Sequence, residues 1–364
     1  MASKDRLLAL GLMSGTSCDG VDAALVETDG RAAIACGPWL SEPYDEVFHD
    51  RLRSVLGGRG DMAAVERELT ERHARAAQDL LARRGIAASE IDVIGFHGQT
   101  ILHEPEHGRT WQIGDGALLA RLTGIDVVND FRSADVAAGG QGAPLVPLFH
   151  AALAAALPRP LAVLNIGGVA NVTWIGEEGV DGEIVAFDTG PGNAMLNDWT
   201  LRHTGRSADI GGALARSGRV DAGVLSALLK HAYFERPAPK SLDRDAFDPA
   251  PLKNLSAADG AATLVAFTAA AVARAQPLFH RPVRRWLVAG GGRHNPAIMA
   301  ALADRLGAPV APVEAVGWDG DALEAQAFAY LAVRSLRGLP LSLPTTTGVS
   351  HPVPGGQLHR ASGG

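Results

Sequence analysis

The sequence predicts an α/β fold of two lobes with a cleft between them, and three observations lead there. The chain has 364 residues, beyond the ~250–300 at which a single core stops growing. A strand, a glycine-rich turn, a strand, a second turn and a third strand follow one another from Leu7, and the same grammar restarts at Leu161. Helical stretches separate or follow these blocks, which is the signature of a duplicated α/β unit.

The elements follow in order. Leu7–Met13 is an apolar run that stops at Ser14-Gly-Thr-Ser17 and resumes at Val21–Glu27; Asp29-Gly30 turns the chain into Ala32–Cys36. A helix is expected from about Met62 to Arg84, with Gly85 as its C-terminal stop. Ile91–Gly95 reads as a buried strand. In the second copy the strands are Leu161–Asn165, Val169–Ile175 and Glu183–Phe187, with turns at Ile166–Gly168 and 176–182. Helices are expected at about Ala261–Gln276, Pro296–Leu306 and Leu323–Leu336. Leu157–Pro160 reads as a hinge, dividing a domain of residues 1–157 from one of 158–364. From about Pro344 the Gly/Pro/Thr-rich sequence predicts a loose tail.

Composition limits the function. Lys and Arg number 33 against 40 Asp and Glu, a net charge of −7, with no basic block to neutralise phosphates, so nucleic acid is not an expected partner. Two cysteines, Cys18 and Cys36, suit a reducing compartment. No run approaches the 18 apolar residues of a membrane span, and Asp5 and Gly15 spoil the superficial leader-like look of the start. A soluble, cytoplasmic protein is expected.

Four clusters can carry chemistry. Gly15, Thr16, Ser17, Cys18, Asp19, Gly20, Val21 and Asp22 form a small-residue turn whose backbone N–H groups can cradle a phosphate; Asp19 and Asp22 offer the hard oxygens Mg²⁺ takes. A polar hairpin with solvated aspartates fits equally, and no Gly-Lys-Ser/Thr follows. Asn165-Ile-Gly-Gly168 mirrors this turn. Gly290-Gly-Gly292 follows an apolar run and precedes Asn295 and Pro296, an N-cap and first helical residue; it suits either a nucleoside lying on bare backbone or close packing of helix on strand. Asp188 stands where a strand runs into Gly190-Pro-Gly192, placed to take a proton or simply to form a turn. Arg132 is a carboxylate or phosphate clamp or a member of a salt bridge. His97, His103 and His107 match no zinc spacing.

Taken together, Met13–Asp22, Asn129–Val146, Asn165–Asn171, Phe187–Asn193, Pro237–Ser241, Gly290–Asn295 and Asp321–Phe328 resemble, in order, the motifs of the anhydro-N-acetylmuramic acid kinase family of the sugar kinase, Hsp70 and actin superfamily. The resemblance implies a duplicated ribonuclease H-like (actin-like ATPase) fold and an ATP- and Mg²⁺-dependent enzyme of peptidoglycan recycling. That enzyme opens 1,6-anhydro-N-acetylmuramic acid with water and phosphorylates O6, giving N-acetylmuramic acid 6-phosphate and ADP. It makes Asp188 the general base. Gly15 to Asp22, Gly167, Gly168, Gly192, Gly291 and Gly292 fall to ATP, with Asp19 also on the metal. His97, Gln99, Arg132 and Glu324 fall to the sugar, and a homodimer is implied. Cys18 departs from the pattern, where an apolar residue is expected. The alternatives are a sugar kinase of the same architecture that consumes no water, and an inactive sugar sensor.

Overall fold

A computed structural model describes residues 4–15, 18–177 and 183–361. The chain divides into two compact units, Met1–Ala155 with Ala322–Gly364, and Ala156–Asp321. The first unit is thus discontinuous. The sequence division ran the second domain on to Gly364, whereas the helix Leu323–Leu336 packs on the sheet of the first unit.

In the first unit, strand Leu7–Met13 pairs antiparallel with Gly20–Thr28, which pairs antiparallel with Ile34–Pro43. On its other side Leu7–Met13 runs parallel to Val93–Phe96, and that strand runs parallel to Val127–Asn129. Counted along the chain, the strand order is 3-2-1-4-5. In the second unit, Leu161–Ile166 pairs antiparallel with Val169–Ile175, and the latter antiparallel with Ile184–Pro191. Leu161–Ile166 is also parallel to Arg285–Ala289, which is parallel to Val310–Pro312. The order is again 3-2-1-4-5, with the second strand alone reversed. The duplication, faint in the sequence, is therefore plain in the topology, and it is the ribonuclease H-like arrangement of the actin-like ATPases.

Local chemistry sets these elements. Helix Met62–Arg84 starts at Asp61, whose side chain accepts from Ala64 N, and stops at Gly85 in the left-handed conformation (φ 65°). Gly11 and Gly95 are register partners in neighbouring parallel strands, and both lie under helix Leu323–Leu336. A Cβ on Gly11 would fall 1.7 Å from the Ala325 carbonyl oxygen, and one on Gly95 2.0 Å from that of Phe328. Bare backbone here lets the helix axis approach the sheet. The core of this unit gathers Leu10, Leu25, Leu80, Ile94 and Phe96; that of the second gathers Trp174, Phe187, Phe267 and Trp286.

Two expectations are corrected. The residues after Pro344 are not a loose tail: Thr346, Thr347, Val349 and Val353 are buried, and Gln357–His359 adds an antiparallel edge strand to Val127–Asn129. Backbone pairing and hydroxyl groups bury this segment, so composition alone misleads. Secondly, Ala257–Leu278 is long and apolar enough to cross a membrane by length and composition, contrary to the reading that no stretch approaches this. Its alanines and glycine pack on all sides, with 72% of the apolar window buried in the protein. A Cβ on Gly260 would fall 2.1 Å from the Trp199 ring, and such all-round burial explains the apolar composition.

Candidate functional site

The first unit holds the turn after its first strand and four of the residues expected at the sugar. Thr16 and Ser17 lie outside the described residues. Gly15 and Cys18 close the turn through a hydrogen bond from Cys18 N to Gly15 O, 3.1 Å. Cys18 has φ 61°, and its side chain is buried among Phe48, Leu52 and Ile113, as an apolar residue would be. Burial pushes its thiol up to about 11, so it is not a nucleophile at neutral pH. Asp19 is exposed, while Val21 is buried in the strand that carries Asp22. Gly20 is required by packing, because a Cβ there would lie 2.5 Å from Glu42 O.

Gln99 joins this turn directly: Ser14 Oγ donates to Gln99 Oε1 at 2.7 Å, and Tyr44 OH donates to Ser14 Oγ at 3.0 Å. His97 and Arg132 form a second group. His97 Nδ1 is 2.8 Å from Gly98 O, a group that can only accept, so Nδ1 carries the proton. Nε2 is therefore a lone pair facing Arg132, at 3.0 Å from Nη2 and 3.2 Å from Nε. Burial and the arginine charge hold the His97 pKa well below its ordinary value, which keeps this tautomer neutral. Arg132 Nη1 donates to Gly142 O at 2.7 Å. Burial draws Arg132 down to about 10, which still leaves a cation at neutral pH. Glu324, on the first turn of helix Leu323–Leu336, is raised above the usual carboxyl range by the surrounding protein and by Asp22, with Arg132 opposing. Among the described residues no three His, Cys, Asp or Glu side chains converge on one point.

The second unit brings its three glycine clusters together. Asn193 N donates to Gly167 O at 2.7 Å and Gly192 N to Gly168 O at 3.0 Å. The glycines then separate into two kinds. A Cβ on Gly192 would fall 2.3 Å from Gly167 O, one on Gly290 2.3 Å from Asn165 Oδ1, and one on Gly292 2.4 Å from Ile166 Cγ2; packing alone requires these to be bare. Gly167, Gly168 and Gly291 would meet nothing nearer than 3.6, 3.7 and 3.8 Å, so their faces are open. Asn295 Oδ1 caps the following helix, accepting from Ala297 N at 3.0 Å. Arg293, its side chain almost wholly buried, holds the turn by ion pairs to Glu314 and Asp321, each 2.8 Å.

Asp188 sits at a bulge where strand Ile184–Pro191 loses register with Val169–Ile175, a device that re-aims a side chain. Its Oδ2 accepts from Leu242 N at 2.8 Å, and its own N–H donates to Lys240 O at 3.0 Å; Oδ1 takes no hydrogen bond from the described residues. Burial raises its pKa from 3.8 to about 7, against the lowering effect of the Leu242 N–H. Such a group is poised to accept a proton at neutral pH. Asp188 is legible in the sequence, but its holders are not: Leu242, and Tyr233, whose hydroxyl donates to the Asp188 carbonyl, come from a segment with little local pattern. The rigid Pro237-Ala-Pro239 just before Lys240 is the one signal that pointed there.

A duplicated ribonuclease H-like fold with glycine turns at its strand ends is the architecture of the actin-like ATPase and sugar kinase superfamily. Residues 7–361 match the family model described as anhydro-N-acetylmuramic acid kinase. The chain is 60% identical to the anhydro-N-acetylmuramic acid kinase of Paramagnetospirillum magneticum, covering 97% of this chain and 99% of that protein. It is 62% identical to the one of Rhodospirillum rubrum, over 96% and 93%. The chain belongs to the anhydro-N-acetylmuramic acid kinase family. Among solved structures, component A of (R)-2-hydroxyglutaryl-CoA dehydratase from Acidaminococcus fermentans aligns with 90% of this chain and 99% of its own, at 14% identity and a TM-score of 0.48.

Proposed function

We propose that this enzyme converts 1,6-anhydro-N-acetylmuramic acid, ATP and water into N-acetylmuramic acid 6-phosphate and ADP, in cytoplasmic recycling of peptidoglycan. The observation that carries the reading is Asp188, fixed through one carboxylate oxygen and raised to about 7. Asp188 takes a proton from the water that attacks the anomeric carbon. The C1–O6 bond breaks, and O6 receives the bond pair and attacks the γ-phosphoryl group, so that bridge opening and phosphoryl transfer proceed together. Phosphoryl transfer asks the protein chiefly for alignment and charge neutralisation.

The remaining residues divide between the units. The open backbone at Gly167 and Gly168 faces phosphate oxygens and that at Gly291 the adenosine; Gly192 and Gly292 shape these turns from behind. The turn from Gly15 to Asp22, Thr16 and Ser17 included, supplies the other phosphate contacts. Asp19, with Asp22 near it in sequence, offers hard oxygens that would hold a Mg²⁺, and the ion would supply neutralisation of phosphate charge. Arg132, oriented by His97, pairs with the lactyl carboxylate, and Gln99 and Glu324 contact the sugar. A homodimer acting on small molecules, with no nucleic-acid or membrane partner, completes the reading.

The test is ADP release with Mg-ATP and 1,6-anhydro-N-acetylmuramic acid, against the unbridged sugar, followed in H₂¹⁸O. Turnover with the bridged sugar alone and ¹⁸O at C1 are expected. Turnover with the unbridged sugar alone makes this a sugar kinase that consumes no water, and no turnover with either overturns the proposal.

A further inference from the structure

We propose that Tyr233 is a positioning residue for Asp188, setting both its aim and its proton affinity through the peptide of the bulge. This rests on the reading of Asp188 as the base.

The bulge makes the Asp188 peptide the weak point of its strand. Register passes from the Asp188–Asn171 pair to the Gly190–Ala170 pair, leaving Thr189 without a register partner, so the peptide that joins Asp188 to Thr189 is not held by a regular ladder on both sides. A single segment outside the sheet supplies what the ladder lacks. Tyr233 OH donates to the Asp188 carbonyl at 2.5 Å, Lys240 O accepts from the Asp188 N–H, and Leu242 N donates to Oδ2. Backbone on both sides of the side chain, and the side chain itself, are thus held by residues 233–242.

Tyr233 is the only one of these three contacts made by a side chain, and it is itself fixed. The ring is buried, the Lys240 ammonium stands 4.7 Å from its centroid, and Lys240 Nζ donates to Tyr233 O at 3.2 Å. Lys240 is buried and sits over the ring face as a cation attracted by the aromatic quadrupole. The lysine acts on the tyrosine, the tyrosine on the Asp188 peptide, and the peptide on the carboxylate. Loss of the hydroxyl leaves the Asp188 carbonyl without its donor at a site the ladder does not secure. The peptide then rotates, the Leu242 N–H bond to Oδ2 lengthens, and the carboxylate loses the contact that favours its charged form.

The experiment compares Tyr233→Phe, Asp188→Asn and the double variant, with Lys240→Gln as a second route to the same network if Tyr233→Phe does not fold. Tyr233→Phe is expected to lower kcat by ~10–100-fold with KM for both substrates changed less than about 3-fold, and to move the acid limb of kcat/KM to higher pH. Lys240→Gln should do the same more weakly. In the Asp188→Asn background the tyrosine change should cost no further rate, because groups acting as a unit are not additive. A Tyr233→Phe enzyme with altered thermal stability but wild-type kcat and an unmoved acid limb overturns the proposal, as does an additive loss in the double variant. Should Asp188→Asn itself retain near-normal rate, the base assignment fails, and that outcome is read from the single variant alone.

Discussion

His97 Nε2 faces the guanidinium of Arg132 at 3.0 Å from Nη2 and 3.2 Å from Nε, while His97 Nδ1 is committed to Gly98 O. A neutral imidazole therefore orients a cation without competing for its charge. Arg132 keeps its charge, while Nη1 is held by Gly142 O. Arg132→Ala is expected to raise KM for the sugar ~10–100-fold, in line with loss of a charge-assisted, oriented contact, and to leave KM for ATP within a few-fold. Arg132→Lys should rescue little, since one ammonium cannot reproduce the planar fork. Steady-state kinetics on both substrates decide it; unchanged sugar KM with lost ATP affinity would move Arg132 to the nucleotide.

Asp188 gives a pH dependence with a definite sign. As a base it must be ionised, so kcat/KM should fall as pH drops through about 7. Asp188→Asn should lower kcat by about 10²–10⁴ and leave ATP binding, measured calorimetrically, within a few-fold. Stability runs the other way. A carboxyl raised from 3.8 to about 7 on folding binds more protons in the folded state, so it costs stability progressively as pH rises between those values. Replacing it with the uncharged amide removes that cost. Asp188→Asn should therefore melt higher relative to wild type at pH 8 than at pH 4, and a pH-independent difference in Tm would refute the burial argument.

The glycine turns of the second unit separate packing from function. Gly192→Ala places a methyl 2.3 Å from Gly167 O and should destabilise by at least the ~1–3 kcal/mol of ordinary overpacking. At Gly167 the nearest atom to a new methyl is 3.6 Å away, so Gly167→Ala should shift stability by no more than ~0.5 kcal/mol. Its effect belongs in KM for ATP, which should rise several-fold if phosphate oxygens approach that backbone. A Gly167→Ala enzyme with wild-type KM for ATP would remove this glycine from the site.

What the sequence made legible was whatever local chemistry decides. Helix Met62–Arg84 stops at Gly85, and helix Pro296–Leu306 begins on the Asn295 cap, because a left-handed glycine and a capping side chain act within one turn. The strand Leu7–Met13 and the duplicated turns follow from runs of apolar residues and glycines in the same way. Long-range partners were hidden. Nothing near Tyr233 in the sequence announces that its hydroxyl meets Asp188, 45 positions earlier, and the return of Leu323–Leu336 to the first sheet depends on Gly11 and Gly95 being bare, some 300 and 230 positions earlier. Gly192 and Gly292 were expected at the nucleotide from their motif, where close packing alone also explains them.

The glycine pair under the C-terminal helix carries a stability prediction. Gly11→Ala would drive a methyl into the Ala325 carbonyl at 1.7 Å, and backbone cannot yield as a flexible side chain can. The helix must lift from the sheet or the strand must bend, exposing Leu10 and Leu12, now fully buried. A loss at or above the upper end of the ~1–3 kcal/mol of core overpacking is expected, measured by urea denaturation. A change below ~0.5 kcal/mol would show that the helix has room this packing does not display.

The segment after Pro344 ties into the Arg132 loop through Thr347, whose carbonyl accepts from Gln141 N at 2.7 Å and whose hydroxyl reaches a buried carboxylate. Thr347 Oγ1 donates to Asp135 Oδ2 at 2.6 Å, and Asp135 Oδ1 accepts from Gly142 N, also at 2.6 Å; Gly142 O in turn receives Arg132. Thr347→Val keeps the shape but leaves one oxygen of a buried carboxylate without its donor, at a cost of about 1–3 kcal/mol. The strain lands on the loop that fixes Arg132, so KM for the sugar should rise several-fold alongside the lower Tm. The acid limb near pH 7 should stay in place, because Asp188 belongs to the other unit and shares none of these bonds. Thermal melts, sugar KM and the pH profile of one variant thus separate a fastening role from a catalytic one: unchanged Tm and KM would mean the Thr347 hydroxyl is not what holds the Arg132 loop.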